Sequence, residues 1–455
     1  GECTQELLAD GISFAYDYDA AGRMLRMQLH DGSAIQYEWA PVGMQSVQRI
    51  DRDGNVRYEH HYENRNLCGQ VTRSRLAGVC GTLGHCHDSL HRLVDLQSEH
   101  WSEAIHYDGL GQIVGTQTTD PTGTLQGHFS YNARQQLAQE SGTISRSYHV
   151  DSVNSIRSTD EGRYEIGPWN EIASSAEGTW SYDKRGNPTT LPLSGAVVHL
   201  SYDALDRLVS VTFPDGRALH FSYDYRHRRL SKRMECGGSV LYEERYLYDL
   251  NDNELGRVDE KNRIVEWRTL GIGLGSEVGS AVAIEIDEKT YVPIHDHRGN
   301  ISCLLDADTG GPIASARYSA YGEMQTQGDW KGAWMFSSKR MDAELGWLYF
   351  GRRHYMPKVG RWLNPDPAEE VDGPNVYAYA GGNPLAAVDP QGLALNICLD
   401  CRVEWDDSGF RVVPVRRDTL ELSHRDTLGR DEQELALERI RRSKLSSNFV
   451  VAGRR

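Results

Sequence analysis

A short unit, Tyr-Asp-x-x-Gly, recurs along this chain and constrains its fold more than any other feature. The clearest copies are Tyr18-Asp19-Ala20-Ala21-Gly22, Tyr107-Asp108-Gly109-Leu110-Gly111 and Tyr182-Asp183-Lys184-Arg185-Gly186. Looser copies start at Tyr202-Asp203, Tyr223-Asp224 and Tyr248-Asp249, and drifted ones lie at Tyr131 and His87. In each, Tyr can pack on a sheet, Asp can accept backbone N–H groups of the following turn, and Gly supplies positive φ. A carboxylate beside an aromatic is also a sugar-binding pattern, but repetition marks architecture first.

Between units the chain alternates. After Arg207, Val209, Val211 and Phe213 are predicted to share one face; Asp215-Gly216 turns the chain, and Leu219, Phe221 and Tyr223 return. The same design gives Leu25, Met27 and Leu29, then Asp31-Gly32, then Ile35, Tyr37 and Trp39. Period-2 alternation around Asp-Gly is a strong hairpin signal. One hairpin cannot bury its own apolar face, so successive hairpins must stack edge to edge in a long all-β sheet. Periodicity alone does not distinguish an open solenoid from a closed shell.

With 455 residues the chain exceeds an ordinary single domain unless it is a repeat array. No apolar run is long enough for a membrane helix. Gly1 opens the chain with no signal-like segment after it, so a fragment or a trimmed product is expected. The net charge of −16 argues against nucleic-acid binding by the body. Eight cysteines form no disulfide framework.

Three weaker patterns carry little. Cys68, Cys80, Cys86, His85, His87 and His91 are zinc-ligand types, but their spacing fits no usual module, so no metal is expected. Cys398-Leu399-Asp400-Cys401 is a single CxxC: half a metal site, a redox pair or, by default, two half-buried cysteines. Gly271-Ile272-Gly273-Leu274-Gly275-Ser276 lacks the third glycine and the helix of a dinucleotide loop, so no nucleotide cofactor is expected.

The stretch from Phe336 to Leu393 is dense in motif: FSSKRMDAELGWLYFGRRHY, then GRWLNPDP, NVYAYAGGNP and DPQGL. Following the Tyr-Asp repeats, it resembles the core-associated segment of Rhs/YD-repeat proteins, which include bacterial polymorphic toxins, toxin-complex C subunits and teneurins. The resemblance implies a spiral of hairpins coiled into a hollow shell over residues 1–335, N-terminally incomplete. It implies a closing, self-cleaving segment over 336–393 and a variable effector segment over 394–455.

The resemblance also implies a cut between Leu393 and Ala394. Asp366 matches the aspartate of the family's GRF-x-x-x-DP motif, Asp389 that of the terminal DP-x-G motif, and Arg353 the arginine of R-Y-Y-D-P. Hydrolysis by two carboxylates needs one ionised and one protonated, and two close carboxyls cannot both ionise cheaply. Arg353 would stabilise an oxyanion or orient a carboxylate. Read from the residues alone, Asp366 and Asp389 make Asx-type turns beside proline. Arg353-His354-Tyr355-Met356-Pro357 departs from R-Y-Y-D-P, which is tolerable if the missing aspartate only caps a turn.

After Leu393 the repeats stop. Residues 394–455 carry 12 Lys+Arg against 11 Asp+Glu, and Asp431–Leu445 reads as a helix, giving a mixed or α-containing tail. It holds no nucleophile–base or metal constellation, and a truncated toxin, a small binding effector and a relic all fit. The expected function is encapsulation of this segment and its release by aspartate-dependent autoproteolysis. Implied partners are the tail as cargo, a missing N-terminal shell or delivery module, and an immunity protein. Secretion or export by specialised machinery is expected. The rivals are a teneurin-like adhesion or carbohydrate-binding protein and a degenerate fragment.

Overall fold

The computed structural model describes residues 2–8, 11–393, 401–406 and 409–414, and all its paired strands are antiparallel. The chain divides into two compact units, Gly1–Asn396 and Ile397–Arg455. In the first, a 16-stranded sheet runs from Gln5 to Arg163, a three-stranded one from Glu165 to Thr179, and a 14-stranded one from Ser181 to Gly328. A four-stranded sheet from Arg340 to Trp362 follows. Within each sheet every strand pairs with its chain neighbours, as short turns require.

The turn chemistry explains the repeat. Asp203 Oδ1 accepts the N–H groups of Leu205 and Arg207 at 2.9 and 3.0 Å, while Oδ2 accepts Arg207 Nε at 2.7 Å. Asp19 and Asp108 accept the corresponding backbone donors. The glycine slot has φ of +76° at Gly22, +83° at Gly111 and +86° at Gly186. The looser copies keep this left-handed turn with Asp206, His227 and Asp252 at φ between +60° and +67°. Short polar side chains such as Asp tolerate that region best.

The repeat tyrosines do more than pack. Tyr107, Tyr223, Tyr248 and Tyr318 each donate their hydroxyl to a backbone carbonyl at the start of the preceding repeat, on Leu93, Leu208, Arg229 and Ile301, at 2.7–3.0 Å. Tyr107, Tyr223 and Tyr248 also sit at register shifts, as does Tyr202. This shift corrects the predicted faces. Leu208 and Val211 are buried while Val209 is half-buried, and Met27 is buried while Leu25 is exposed. A bulge adds one residue to one strand, so strict alternation slips beside these tyrosines.

Contacts between distant strands show that the ribbon coils. Glu6 meets Arg228, His30 meets the Asn262 carbonyl, Arg49 meets Glu285, and Cys80 meets the Asp306 carbonyl, at separations of 222, 232, 236 and 226 residues. Further on, Asp120 pairs with Arg317 and Glu140 with the Ala320 N–H, at 197 and 180. A ribbon folded back on itself would reverse the order of partners. Here the order is kept, so the second pass follows the first around a coil that tightens toward its end.

Apolar side chains line the seam, with Phe14, Tyr16, Met27 and Val47 against Leu247, Val258 and Trp267. The stretch from Trp334 to Leu393 packs onto both passes. Phe336, Leu348, Tyr355 and Trp362 join Leu137, Tyr148 and Tyr321, while Leu345, Trp347 and Met356 join Leu200, Val211 and Phe221. Buried ion pairs fix its register: Asp342 with Arg229 at 2.7 Å, Lys339 with Glu277 at 2.7 Å, and Arg340 with Glu254 and Glu266 at 2.6 and 2.9 Å.

In the second unit, Cys401–Asp406 and Gly409–Pro414 form an antiparallel hairpin. The helix expected over 431–445, Cys398 and Ala394 lie outside the described residues. Gly271–Ser276 is a loop between strands Ile264–Leu270 and Ala281–Ile286. No helix among the described residues is long and apolar enough to cross a membrane.

Candidate active site

The structure brings Arg353, Asp366 and Asp389 together although they come from three separate turns. Arg353 immediately precedes strand His354–Met356, Asp366 follows strand Arg361–Trp362, and Asp389 begins the turn that leads to Leu393. Arg353 Nη2 lies 2.8 Å from Asp366 Oδ2 and 3.2 Å from Asp389 Oδ2. The two oxygens therefore lie within about 6 Å of each other. All three residues are buried, with 2%, 8% and 3% exposure.

Each carboxylate divides its work between its two oxygens. Asp366 Oδ1 accepts the Ala368 N–H at 2.8 Å. Asp389 Oδ1 accepts the N–H groups of Gln391, Gly392 and Leu393 at 3.3, 2.7 and 3.0 Å. Both thus make the Asx-type turns that their sequence suggests, and both still direct Oδ2 to the shared guanidinium. The turn reading and the paired-carboxylate reading are compatible.

The guanidinium is committed on several sides. Nε donates to the Gly392 carbonyl at 2.6 Å and Nη1 to the Val376 carbonyl at 3.1 Å. Its central carbon lies 4.2 Å from the centre of the buried Trp362 ring. Of the two roles considered for Arg353, this geometry suits orienting the carboxylates. Gly392 has φ +74°, and a Cβ there would meet Arg353 and Trp362 at 3.4–3.5 Å.

Burial sets the electrostatics. It pushes the Asp366 carboxyl up to about 7; Arg353 and the Ala368 N–H pull the other way, while Asp389 and Asp372 push further up. Burial also lowers the Arg353 guanidinium, against the pull of both carboxylates. A small recess of about 10 Å³, room for about one water, is lined by Trp362, Asp366, Asp372, Val376 and Asp389 among others and opens beside the pair. A polar recess next to two carboxyls suits an attacking water.

The departures from R-Y-Y-D-P have local explanations. His354 lies on buried Asp342, Nε2 to Oδ2 at 3.5 Å, and Met356 fills the apolar cluster with Leu345 and Leu363. Neither belongs to the carboxylate site. Trp362, Val376 and Gly392 were missed in the sequence: the last two act through backbone carbonyls, and Trp362 has the look of an ordinary core aromatic.

The cysteines and histidines between 68 and 91 scatter. Cys68 faces His91 at 3.6 Å across two exposed turns, whereas Cys80 is buried against the Asp306 carbonyl. Among the described residues no group of three or more His, Cys, Asp or Glu side chains could hold a metal ion.

A coil of antiparallel hairpins, capped at every repeat by a Tyr-Asp turn and closed by a motif-dense segment, defines a YD-shell. The chain belongs to the teneurin YD-shell family, which it matches over residues 84–385. It is 24% identical to toxin subunit YenC1 of Yersinia entomophaga over 429 residues, 87% of this chain and 41% of YenC1. It is 29% identical over 234 residues to tRNA nuclease WapA of Bacillus subtilis (strain 168), 49% of this chain and 9% of WapA. The crystal structure of TcdB2-TccC3-Cdc42 shares the fold over 85% of this chain and 22% of its own, at 19% identity and a TM-score of 0.64. The chain thus spans less than half the length of these relatives.

Proposed function

We propose that this YD-shell encloses its own C-terminal segment, residues 394–455, and releases it by cutting the Leu393–Ala394 bond once. One observation carries the reading: buried Asp366 and Asp389 share one nitrogen of Arg353, while Asp389 also holds the N–H of Leu393. The carboxyl pair and the backbone leading to the bond are thus part of one hydrogen-bonded unit. The likeness to a toxin subunit supports the cargo role, with further shell or delivery segments, export by specialised machinery and an immunity protein as its natural complements.

In the proposed reaction Asp389 is ionised and Asp366 carries a proton. A water in the recess loses a proton to Asp389 as its oxygen bonds to the Leu393 carbonyl carbon. Asp366 gives its proton to the carbonyl oxygen, forming a gem-diol. The diol collapses as Asp389 protonates the Ala394 nitrogen, the C–N bond breaks, and Asp366 recovers a proton from a hydroxyl. Arg353 keeps both carboxyls in register, and burial keeps Asp366 protonated near neutrality. Intact-mass measurement of the purified full chain tests this: two fragments divided at Leu393 support it, and a single uncut species overturns it.

A further inference from the structure

We infer that Trp362 is a positioning residue for this cut, holding Arg353 and the Gly392 backbone in the one arrangement that lets a single nitrogen bridge both aspartates. The inference rests on the proposed autoproteolysis. Two contacts converge on the indole, and a backbone bond of the same residue completes the frame. Its ring centre lies 4.2 Å from the Arg353 guanidinium carbon. Its far edge is close enough to Gly392 that a Cβ there would lie 3.5 Å from it. The Trp362 backbone N–H donates to the Tyr377 carbonyl at 3.0 Å, which ties down the turn carrying Val376, the acceptor of Arg353 Nη1.

A flat, fully buried face is what a planar guanidinium needs in order to be oriented without spending a donor. With the ring on one side and the Gly392 and Val376 carbonyls at its edge, the guanidinium has one low-energy plane, and in that plane Nη2 faces Asp366 and Asp389. Edge-on contacts with Phe350 and Tyr379, with ring centres at 5.1 and 5.4 Å, prevent the indole from turning. Trp362 also lines the recess beside both carboxyls, so it shapes the space a water would enter. An ordinary core aromatic at this point would fill volume; this one also sets the orientation of a charged group.

The test uses the full chain made by cell-free synthesis, with cutting followed over time by mass, at pH values on both sides of about 7. Trp362→Phe retains an aromatic face and is expected to cut within about threefold of the unaltered chain. Trp362→Leu removes the face and is expected to slow cutting by about tenfold to a hundredfold, as a small misplacement of a reacting group does. Its pH midpoint should also move to the alkaline side, because a loosened Arg353 no longer pulls the Asp366 titration down. A slower cut with an unmoved midpoint, or an unchanged rate, overturns the inference. If Trp362→Leu does not fold, Trp362→Met is read the same way; loss of the folded state in both assigns Trp362 to the core alone and also overturns it. Asp366→Asn separates the two layers: if it cuts normally, the autoproteolytic reading itself falls, whatever Trp362 does.

Discussion

Leu393 donates its backbone N–H to Asp389 Oδ1 at 3.0 Å, so the residue before the proposed cut is held by a carboxylate of the proposed pair. The other oxygen of that carboxylate faces Arg353 at 3.2 Å. Changing Asp389 therefore affects both the chemistry and the approach of the backbone, whereas changing Asp366 affects the chemistry and the turn at Ala368.

Asp389→Asn and Asp366→Asn should each give a folded, uncut chain, because an amide keeps the shape and cannot move the proton. In the unaltered chain the new N-terminus should be Ala394, with the tail still associated until denaturation. Asp-Pro bonds break in acid, so Pro367 or Pro390 as the new terminus would mark trivial hydrolysis. End-sequencing at neutral pH separates these outcomes. Normal cutting in either amide variant removes the aspartyl mechanism.

How much of this was legible beforehand differs between fold and site. Gly22, Gly111 and Gly186 announced their turns because positive φ has a residue signature. The bulge beside a repeat Tyr did not, since an extra residue in one strand depends on its partner; hence Val209 and Leu25 were assigned to the wrong face. Coiling was also invisible locally, because it rests on pairs such as Arg49 with Glu285, 236 residues apart. At the site, Arg353, Asp366 and Asp389 could be named only through the resemblance, since nothing in their spacing says that three turns converge. The carbonyls of Val376 and Gly392 have no side-chain signal at all.

Acidity should govern the cut in a set direction. Asp366 titrates at about 7 in the folded chain against an ordinary 3.8, so it is the protonated form that folding favours. If that proton is used in catalysis, cutting should fall as pH rises through about 7. The same shift makes folding less favourable as pH rises from the ordinary value to the folded one, since the folded state binds more protons across that window. In an Asp389→Asn background that stays uncut, adding Asp366→Asn should flatten this part of the dependence of Tm on pH. A rate rising through neutrality would exclude Asp366 as the acid.

Arg353→Lys should slow the cut while retaining a positive charge. A lysine ammonium cannot reach two carboxylates and two carbonyls in one plane. The expected loss is about tenfold or more, read by the same mass assay. Restoration of normal cutting by lysine would mean that charge alone is needed.

The repeats allow structure to be separated from ligand binding. Gly216 has φ +86° with open space around it, so Gly216→Val meets no clash and its cost is the strained backbone, about 1–2 kcal/mol. Tyr223→Phe deletes the hydroxyl bond to the Leu208 carbonyl and should cost about 1 kcal/mol. Asp203→Asn should cost less than either: an amide oxygen can still accept from Leu205 and Arg207, and what is lost is a pair with partly exposed Arg207. Denaturant unfolding of an uncut chain orders the three. A carbohydrate-binding role for the repeat aspartates predicts something else for Asp203→Asn, a chain of unchanged stability that loses measurable affinity on a glycan array. Both Asp203 oxygens are already engaged within the turn, one by two backbone donors and the other by Arg207, so no such affinity is expected. A reproducible glycan signal abolished by Asp203→Asn would instead make these turns a binding surface.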